Sequence, residues 1–212
     1  PDGSWITKNH FWTQAPYWWF VNGVWVRRDG QVNPDADRSD YAAAIVAART
    51  VRDCGLAYYF NKSDARFLNK AVDQLKMWCV TPATRMIPQY TIHQSKIEIC
   101  VTIPGMIYGY WCIRDNVSAS DRAAIDTWIN DLAVRSIAWE ESNNYDKWKC
   151  VLVAMAGVTR KNQRFIDYAK SQVQKNIARM ISSTGRMQNE LGRATSLSYS
   201  TYSLSAILIT CQ

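Results

Sequence analysis

The 212-residue sequence lacks several features on which common enzyme classes depend. It has only two histidines, His10 and His93, and neither lies in a cluster with metal-ligand spacing, which argues against a catalytic zinc site. There is no Cys-x-x-Cys pair, glycine-rich phosphate loop, Rossmann glycine motif or Gly-x-Ser-x-Gly elbow. These absences argue against metal, redox, nucleotide and serine-hydrolase chemistry.

Long apolar runs are also missing. The longest, such as VLVAMAGV, fall far short of the roughly 20 apolar residues that a membrane span needs. With 48% hydrophobic residues, the chain is expected to fold as one globular domain over residues 1–212, without a membrane partner. The sequence begins with neither Met nor a signal peptide, so we expect that its N-terminus has been processed or cut.

The chain carries 25 Lys and Arg against 18 Asp and Glu, a net charge of +7 that should attract polyanions. The basic residues are scattered and no nucleic-acid-binding motif is visible, so a helical nucleic-acid binder rests on charge alone. Ten Trp and eleven Tyr either fill the core or form platforms for sugar stacking, because a flat ring covers the apolar face of a sugar. Composition alone therefore leaves nucleic acid, acidic polysaccharide and anionic membrane surfaces open as partners.

Six cysteines are widely spaced along the chain. Most lie in apolar helical patterns, where a free cysteine behaves as a small buried residue. The even number also permits disulfides in a secreted protein. Both interpretations are open at the level of sequence.

Helical periodicity begins at Ser39 and continues to the end of the chain. Residues 1–37 are rich in aromatics, Gly, Pro and Asn, and we expect an ordered but irregular segment there. Ser63 is the expected cap of the second helix, and Ser118 with Asp121 suits a capping box. The later helices are predicted at about 94–113, 119–134, 146–158, 163–181 and 196–209. The expected fold class is all-α, built from successive helical hairpins.

Polar and aromatic residues that could carry chemistry cluster where predicted helices begin or loops pass. In NELGRATSLSYSTYSL, Arg193 is expected close to Tyr199, and Tyr199 and Tyr202 share one helix face. An arginine beside a tyrosine favours the phenolate and would lower the phenol pKa. The alternative is that these are buried tyrosines whose hydroxyls bond to the backbone. The full candidate set is His10, Trp18, Arg85, Gln94, Asn143, Asn144, Tyr145, Glu190, Arg193, Tyr199 and Tyr202.

Several stretches, read in order, resemble the signature blocks of the alginate-lyase superfamily of polysaccharide lyases. They are HFWTQAPYWW, VRRDGQVNPD, LAYYFNKSDARFLNKAVDQLKMWCVTPATRMIPQ, NNYDKW and NELGRATSLSYSTYSL, and they are distributed over most of the chain, from residue 10 to residue 204. The resemblance implies an incomplete (α/α) toroid, a horseshoe of helical hairpins, whose cleft binds an acidic polysaccharide. It also implies cleavage by β-elimination in a secreted or periplasmic enzyme. A toroid of this type is usually longer, so the chain is either a fragment or a shortened horseshoe.

The resemblance also assigns roles to individual residues. Asn144 matches the amide that neutralises the substrate carboxylate, and Arg193 matches the arginine of the motif. Tyr202 is the first choice for the catalytic tyrosine, with Tyr199 close behind. His10, Trp18, Arg85, Gln94, Asn143 and Glu190 are the expected substrate-binding residues. The family commonly continues Asn-Asn-His, whereas this chain has Tyr145 at the third position. The base is therefore open. The candidates are Tyr145, Tyr199, Tyr202 and a histidine that the fold brings into the cleft.

The expected chemistry explains these residue types. The C5 proton of a uronate becomes acidic when amide or guanidinium donors stabilise the charge that develops on its carboxylate. A base then removes that proton and an acid protonates the departing glycosidic oxygen, so neither metal nor organic cofactor is required. The expected function is a lyase acting on alginate, mannuronate-rich by preference, or on a glucuronan-like polymer. The alternative is a non-catalytic protein that binds acidic glycans, as the missing histidine and the short chain suggest.

Overall fold

The computed structural model describes residues 9–212, and this part of the chain is mainly α-helical. Its α-helices are α1 (Ser39–Phe60), α2 (Ala65–Leu75), α3 (His93–Ile113), α4 (Ala119–Ile137), α5 (Asn144–Arg160), α6 (Gln163–Met180), α7 (Gln188–Leu191) and α8 (Ser196–Cys211). A π-helical turn (Lys76–Val80) follows α2, and a 3-10 turn (Arg114–Asn116) follows α3. Four short strands are β1 (His10–Phe11), β2 (Trp18–Val21), β3 (Val24–Arg27) and β4 (Ile87–Pro88). The predicted all-α class is confirmed.

Helices α1 and α3 lie side by side, and two glycines set their distance. A Cβ atom at Gly55 would overlap the carbonyl oxygen of Gly109, and one at Gly109 would overlap that of Val51. Further toward the N-terminal ends, Gly105 lies opposite Ala48, so the two helices run in the same direction. Their N-termini therefore reach the same side of the molecule.

Helix α5 is the central element and packs against α3, α4, α6 and α8. Charged side chains are buried on it as well as apolar ones. Asp146 pairs with Lys149 at 2.5 Å, and Lys147 pairs with Glu190 of α7 at 3.3 Å, all four side chains being fully buried. Each buried charge thus has a partner of opposite sign, as burial in the core requires.

The N-terminal segment is ordered and non-helical over its described residues, and it contains a β-hairpin that the sequence analysis did not predict. Strands β2 and β3 pair antiparallel. They are joined by Asn22 and Gly23, whose φ angles of 51° and 82° both lie in the left-handed region. Two positive φ angles suit the tight hairpin turn that Asn-Gly favours. The Asn-Gly pair in VNGVWV is the sequence signal for this turn, but it lies in an aromatic-rich segment that was expected to be irregular.

Side-chain contacts fasten this segment to the helices. Asp40, in the first turn of α1, accepts a hydrogen bond from the backbone N–H of Trp12 at 2.8 Å. Asp29, just after β3, pairs with Arg193 at 2.7 Å and accepts from the backbone N–H of Ala194 at 2.9 Å. Strands β1 and β4 pair in parallel. The segment thus contacts both the first helix and the loop before the last one.

Several predicted boundaries need correction. The cap of α2 is Asp64, whose carboxylate accepts from the backbone N–H of Arg66 at 3.1 Å; Ser63 instead donates to the side chain of Asn61 at 2.6 Å. An Asp directly before the helix reaches the free N–H groups better than a residue one position further out. The cap by Ser118, which accepts from the backbone N–H of Asp121 at 3.2 Å, is confirmed. Helix α5 begins two residues earlier than predicted, at Asn144.

All six cysteines, which lie in the described part of the chain, are free thiols, and four of them are buried. Burial raises the pKa of the Cys150 thiol to about 12, so this group behaves as a core residue. The core interpretation of the cysteines therefore holds for Cys79, Cys100, Cys112 and Cys150.

Candidate active site

A cleft of about 450 Å³ opens where four helices begin. The first turns of α1, α3, α5 and α8 reach it through Tyr41, Gln94, Asn144 and Tyr199 respectively, and the N-terminal segment forms the opposite wall. Helix N-termini carry partial positive charge and unpaired N–H groups, so four of them around one cleft favour an anionic ligand. Other residues that line the cleft include Tyr17, Trp18, Arg27, Arg38, His93, Glu98, Asn143, Tyr145, Arg193 and Tyr202.

The two adjacent asparagines at the start of α5 have different tasks. Asn143 is the helix cap, and its side-chain oxygen accepts from the backbone N–H of Tyr145 at 3.0 Å. Asn144 lines the cleft with only 3% of its surface exposed, and its Oδ1 is buried without a hydrogen-bond partner. A buried amide left without its hydrogen bond costs stability. Asn144 makes no capping hydrogen bond, so its amide, whose Nδ2 is a donor, can serve a ligand in the cleft rather than the helix.

Tyr145 belongs to a chain of hydrogen bonds along one wall of the cleft. Its hydroxyl donates to Oε1 of Gln94 at 3.2 Å, and the amide of Gln94 donates to Glu98 at 2.9 Å. Burial raises the pKa of Tyr145 well above its ordinary value, and the carboxylates of Glu98 and Glu141 add to this effect. Neither Lys147 nor Arg193 makes Tyr145 a phenolate base, because Lys147 is buried against Glu190 and the effect of Arg193 on the pKa of Tyr145 is outweighed.

Glu98 and Arg38 form an ion pair in the wall of the cleft that sequence reasoning missed. The guanidinium of Arg38 lies 2.7 Å from Glu98, which is almost completely buried, and stacks 4.5 Å from the ring centre of Tyr41. A usable signal existed, since Glu98 is a lone carboxylate inside the apolar run IEICVTI. The pair leaves a guanidinium, partly exposed, at the cleft surface.

His93 is the histidine that the fold brings into the cleft. Its ring packs against that of Tyr145 in a tilted arrangement, with ring centroids 4.5 Å apart and an interplanar angle of 30°. Its Nε2 lies 3.3 Å from Glu141, which also pairs with Lys96 at 2.9 Å. The side chain is 61% exposed and is therefore accessible to a ligand. An imidazole thus stands beside the residue that replaces the histidine of the Asn-Asn-His pattern.

Tyr199 lies under Arg193 as predicted, but its electrostatics differ from the prediction. The guanidinium carbon of Arg193 is 3.7 Å from the ring centre, and the hydroxyl of Tyr199 donates to that of Tyr17 at 2.7 Å. Burial raises the pKa of Tyr199 above its ordinary value, and the hydrogen bond with Tyr17 adds to the rise; Arg193 lowers it by less. The predicted lowering was wrong because desolvation outweighs the nearby cation.

Arg193 itself is held by Asp29. Its Nε and Nη2 both donate to this carboxylate, at 3.0 Å and 2.7 Å from Oδ1. The pairing lowers the pKa of Asp29, with the Arg193 hydrogen bonds as the main cause. Sequence spacing did not show this partner, which lies 164 positions away. Arg193 therefore lines the cleft and also joins the N-terminal segment to the loop before α8.

Tyr202 also lines the cleft, but its surroundings are mostly apolar. Its ring packs against Trp148 with centroids 4.9 Å apart, and it contacts the hydrophobic core. Burial is the first cause of a pKa well above the ordinary value of a tyrosine. Of the two tyrosines in the motif, Tyr199 has the hydroxyl with a polar partner inside the cleft.

Three residues expected to bind substrate lie outside this cleft. His10 lines a separate small pocket of about 130 Å³ with Asp40 and Trp78. Arg85 is exposed in the loop before β4. Glu190 is fully buried and accepts hydrogen bonds from Lys147 at 3.3 Å and Ser203 at 2.7 Å. Glu190 therefore supports the packing of α5 against α8, beneath the cleft.

Among residues 9–212, no group of three or more His, Cys, Asp or Glu side chains is arranged to hold a metal ion. In the same residues, no helix is both long and apolar enough to cross a membrane.

Comparisons with known proteins identify the family of the chain. The model of the family described as alginate lyase matches residues 4–212. The chain belongs to the alginate lyase family. No curated protein matches the chain.

The fold is that of a crystallised alginate lyase from Bacteroides ovatus, with a TM-score of 0.80 and 24% identity. The match covers 97% of this chain and 61% of that one, so this member of the alginate lyase family spans about three fifths of the crystallised protein. The predicted resemblance and the all-α toroid are confirmed.

Proposed function

We propose that this protein is a polysaccharide lyase that cleaves an acidic polyuronate, alginate or a glucuronan-like polymer, by metal-independent β-elimination. One observation carries the proposal: the amide of Asn144, the phenol of Tyr199 and the imidazole of His93 line one cleft at the start of four helices. The first can stabilise a carboxylate, and the other two can transfer protons.

Binding of a uronate is supported by the charges around the cleft. The helix N-termini and the guanidinium of Arg38 favour a carboxylate. Asn144 would donate to that carboxylate, and the negative charge that develops there during proton removal strengthens this hydrogen bond. A donor held in place before the reaction stabilises the transition state more than the ground state.

The proton transfers follow from the environments of the two rings. Tyr199 keeps its proton at neutral pH because its pKa is raised, so it is suited to protonate the glycosidic oxygen. An imidazole beside a carboxylate, as His93 lies beside Glu141, is suited to accept a proton. His93 takes the C5 proton, the C–H electron pair forms the C4–C5 double bond, and the C4–O bond breaks toward the oxygen that Tyr199 protonates.

The assignment of Tyr199 reverses the order of preference expected from sequence, where Tyr202 came first. Tyr202 packs on Trp148, whereas the Tyr199 hydroxyl has the Tyr17 hydroxyl as a polar neighbour from which its proton can be replaced. Arg193 is assigned a positioning role, because Asp29 occupies two of its nitrogens.

The test is the absorbance of the unsaturated uronate formed during incubation with mannuronate-rich alginate and with glucuronan. Tyr199→Phe and His93→Ala should each lower turnover by roughly 10²-fold or more, while Tyr202→Phe should keep most of it. Unchanged turnover in Tyr199→Phe would refute its role as the acid. Loss in Tyr202→Phe alone, with the fold intact, would restore the original preference.

A non-catalytic acidic-glycan-binding protein is the second candidate, and the tyrosine at position 145 favours it. Retained binding to polyuronates without any unsaturated product would identify this function. Reducing ends without the absorbance change would instead indicate a hydrolase. Secretion or export to the periplasm is proposed with the lyase function, because its polymeric substrates lie outside the cell.

A further inference from the structure

The β2–β3 hairpin continues the cleft wall beyond the residues assigned above. In its antiparallel register Trp18 pairs with Arg27 and Phe20 with Trp25. Paired residues share a face of the hairpin, and so do residues two positions apart on a strand. Because Trp18 and Arg27 line the cleft, Phe20 and Trp25 lie on the same face further out. These four residues are named the hairpin face.

The hairpin face is unusually apolar for an exposed surface. Phe20 is 61% exposed and Trp25 56% exposed, and their rings contact each other with centroids 5.1 Å apart. Trp19 shows the contrast, since it points to the other face, is half-buried, and donates to the backbone oxygen of Gln31 at 3.2 Å. Trp19 is thus held within the segment by a hydrogen bond. Phe20 and Trp25, by contrast, are left exposed by the residues that the structure describes.

We propose that Phe20 and Trp25 form a sugar-binding subsite that receives the same acidic polysaccharide chain after it leaves the cleft. The substrate class rests on the function proposed above. Aromatic rings cover the apolar face of a sugar, and the two cross-strand pairs lie about 7 Å apart along the strands, comparable with the length of a sugar residue. Continuity with the cleft through Trp18 makes a polysaccharide the favoured occupant.

Charge complementarity supports the same occupant. Arg27 lies on the hairpin face beside the aromatic pair, with 48% of its side chain exposed. Arg28 stacks on Trp19, on the opposite face, and takes no part in this surface. Asp29 balances Arg27 in part, at 2.6 Å. A chain with one carboxylate per sugar would thus meet the guanidinium of Arg27 beside aromatic rings, a combination that suits uronates.

The test compares binding of long and short polyuronates to the full chain. The double variant Phe20→Ala/Trp25→Ala is matched by Phe60→Ala/Trp111→Ala, which removes the same two residue types at the C-terminal ends of α1 and α3, away from the cleft. Affinity for polymeric mannuronate-rich alginate should fall about 10-fold in the first variant and stay unchanged in the second. Affinity for a trisaccharide that fills only the cleft should stay unchanged in both.

The other outcomes of this experiment distinguish failure of the subsite from failure of the lyase function. Equal polymer affinity in the wild type and the hairpin variant, with cleavage intact, overturns the subsite and leaves the lyase function standing. A change from dimer to monomer on mutation, with polymer affinity unchanged, also overturns it and identifies a second copy as the occupant. Weaker polymer binding in a protein that never forms unsaturated product supports the subsite while the lyase function fails. A wild type that binds no polyuronate overturns both.

Discussion

At the residue scale, Asn143 and Asn144 show how two identical side chains in sequence acquire different tasks. Asn143 satisfies a backbone N–H that the helix cannot satisfy itself, and this contributes to stability. Asn144 lines the cleft and makes no capping hydrogen bond, so its Nδ2 donor can serve the substrate carboxylate in the proposed mechanism. The two tasks can be separated by measuring turnover and stability on the same samples.

We expect Asn144→Ala to lower turnover by roughly 10²-fold or more, since one preorganised donor contributes ~3 kcal/mol in the transition state. Its melting temperature should change little, because no hydrogen bond within the described residues is lost at Oδ1. Asn143→Ala is the matched control and should lower stability by ~1 kcal/mol with specific activity nearly retained. The opposite pattern, with activity lost only in the control, would remove Asn144 from the proposed mechanism.

A second residue-scale effect is visible at Tyr145, Tyr199 and Tyr202. All three have a raised pKa, with burial as the largest cause, so an adjacent guanidinium is insufficient evidence for a phenolate. This shared property makes the tyrosines proton donors at neutral pH. It is the reason why the base is assigned to the exposed imidazole of His93.

At the scale of elements, the contact of α1 with α3 depends on glycine. Because the two backbones meet at Gly55 and Gly109, the N-terminal turns of both helices reach the same cleft. Any side chain at this crossing would have to push against backbone, which cannot move aside as a flexible side chain does.

We expect Gly109→Ala to lower the free energy of unfolding by about 1–3 kcal/mol through overpacking at this crossing. Denaturant titration measures the change. Gly192→Ala is the control, because a Cβ there would meet nothing within 4 Å and the residue has no positive φ. A Gly109→Ala variant as stable as the wild type would show that the helices can separate at little cost.

The contact of the hairpin with the loop before α8 is also an element-scale feature, and it depends on pH. The pKa of Asp29 is lowered in the folded state, so its pairing with Arg193 stabilises the protein above the unfolded value of about 3.9. This contribution is lost as the pH falls through the still lower folded pKa. We expect the protection of backbone amides in β2 and β3, measured relative to their intrinsic exchange rates, to decrease below about pH 4.

Asp29→Asn tests the origin of this acid sensitivity. The variant should show the lower protection already at neutral pH and little further change on acidification, with the helical core protected throughout. Asp53→Asn is the control, because that carboxylate lies in an exposed pair with Arg52 on α1. Equal acid sensitivity in wild type and Asp29→Asn would show that other carboxylates are responsible.

At the scale of the whole molecule, the net charge of +7 and the helix ends at the cleft both favour a polyanion. The net charge and the polar groups of the cleft act over different distances. The net charge acts across many ångströms and is screened by salt, whereas the amide and phenol act only in contact with the substrate.

We therefore expect KM for a polyuronate to rise several-fold between about 0.01 and 0.15 M salt, where the Debye length falls from ~30 to ~8 Å, with kcat nearly constant. Initial rates across a salt series measure both constants. Trisaccharide cleavage is the internal control, because a short ligand carries fewer charges. Equal salt dependence of both substrates would assign the effect to the cleft alone.

The helical segments and the family were accessible from the sequence because both are local properties. Periodicity placed the helices to within a few residues, and ordered motifs such as NELGRATSLSYS identified the family. The hairpin was also readable from Asn22-Gly23, since a tight turn requires only neighbouring residues. The caps were predicted in part, as Ser118 was correct and Ser63 was displaced by Asp64.

Only the tertiary structure decided which residues share the cleft. His93 meets Tyr145, Arg38 pairs with Glu98, and Arg193 pairs with Asp29 across 164 positions, and none of these partners follows from spacing. The raised pKa of Tyr199 likewise depends on burial, which is set by every element packed around it. Sequence by itself determined the helices and the family because those depend on neighbours along the chain. The site, the partners and the protonation depend on neighbours in space.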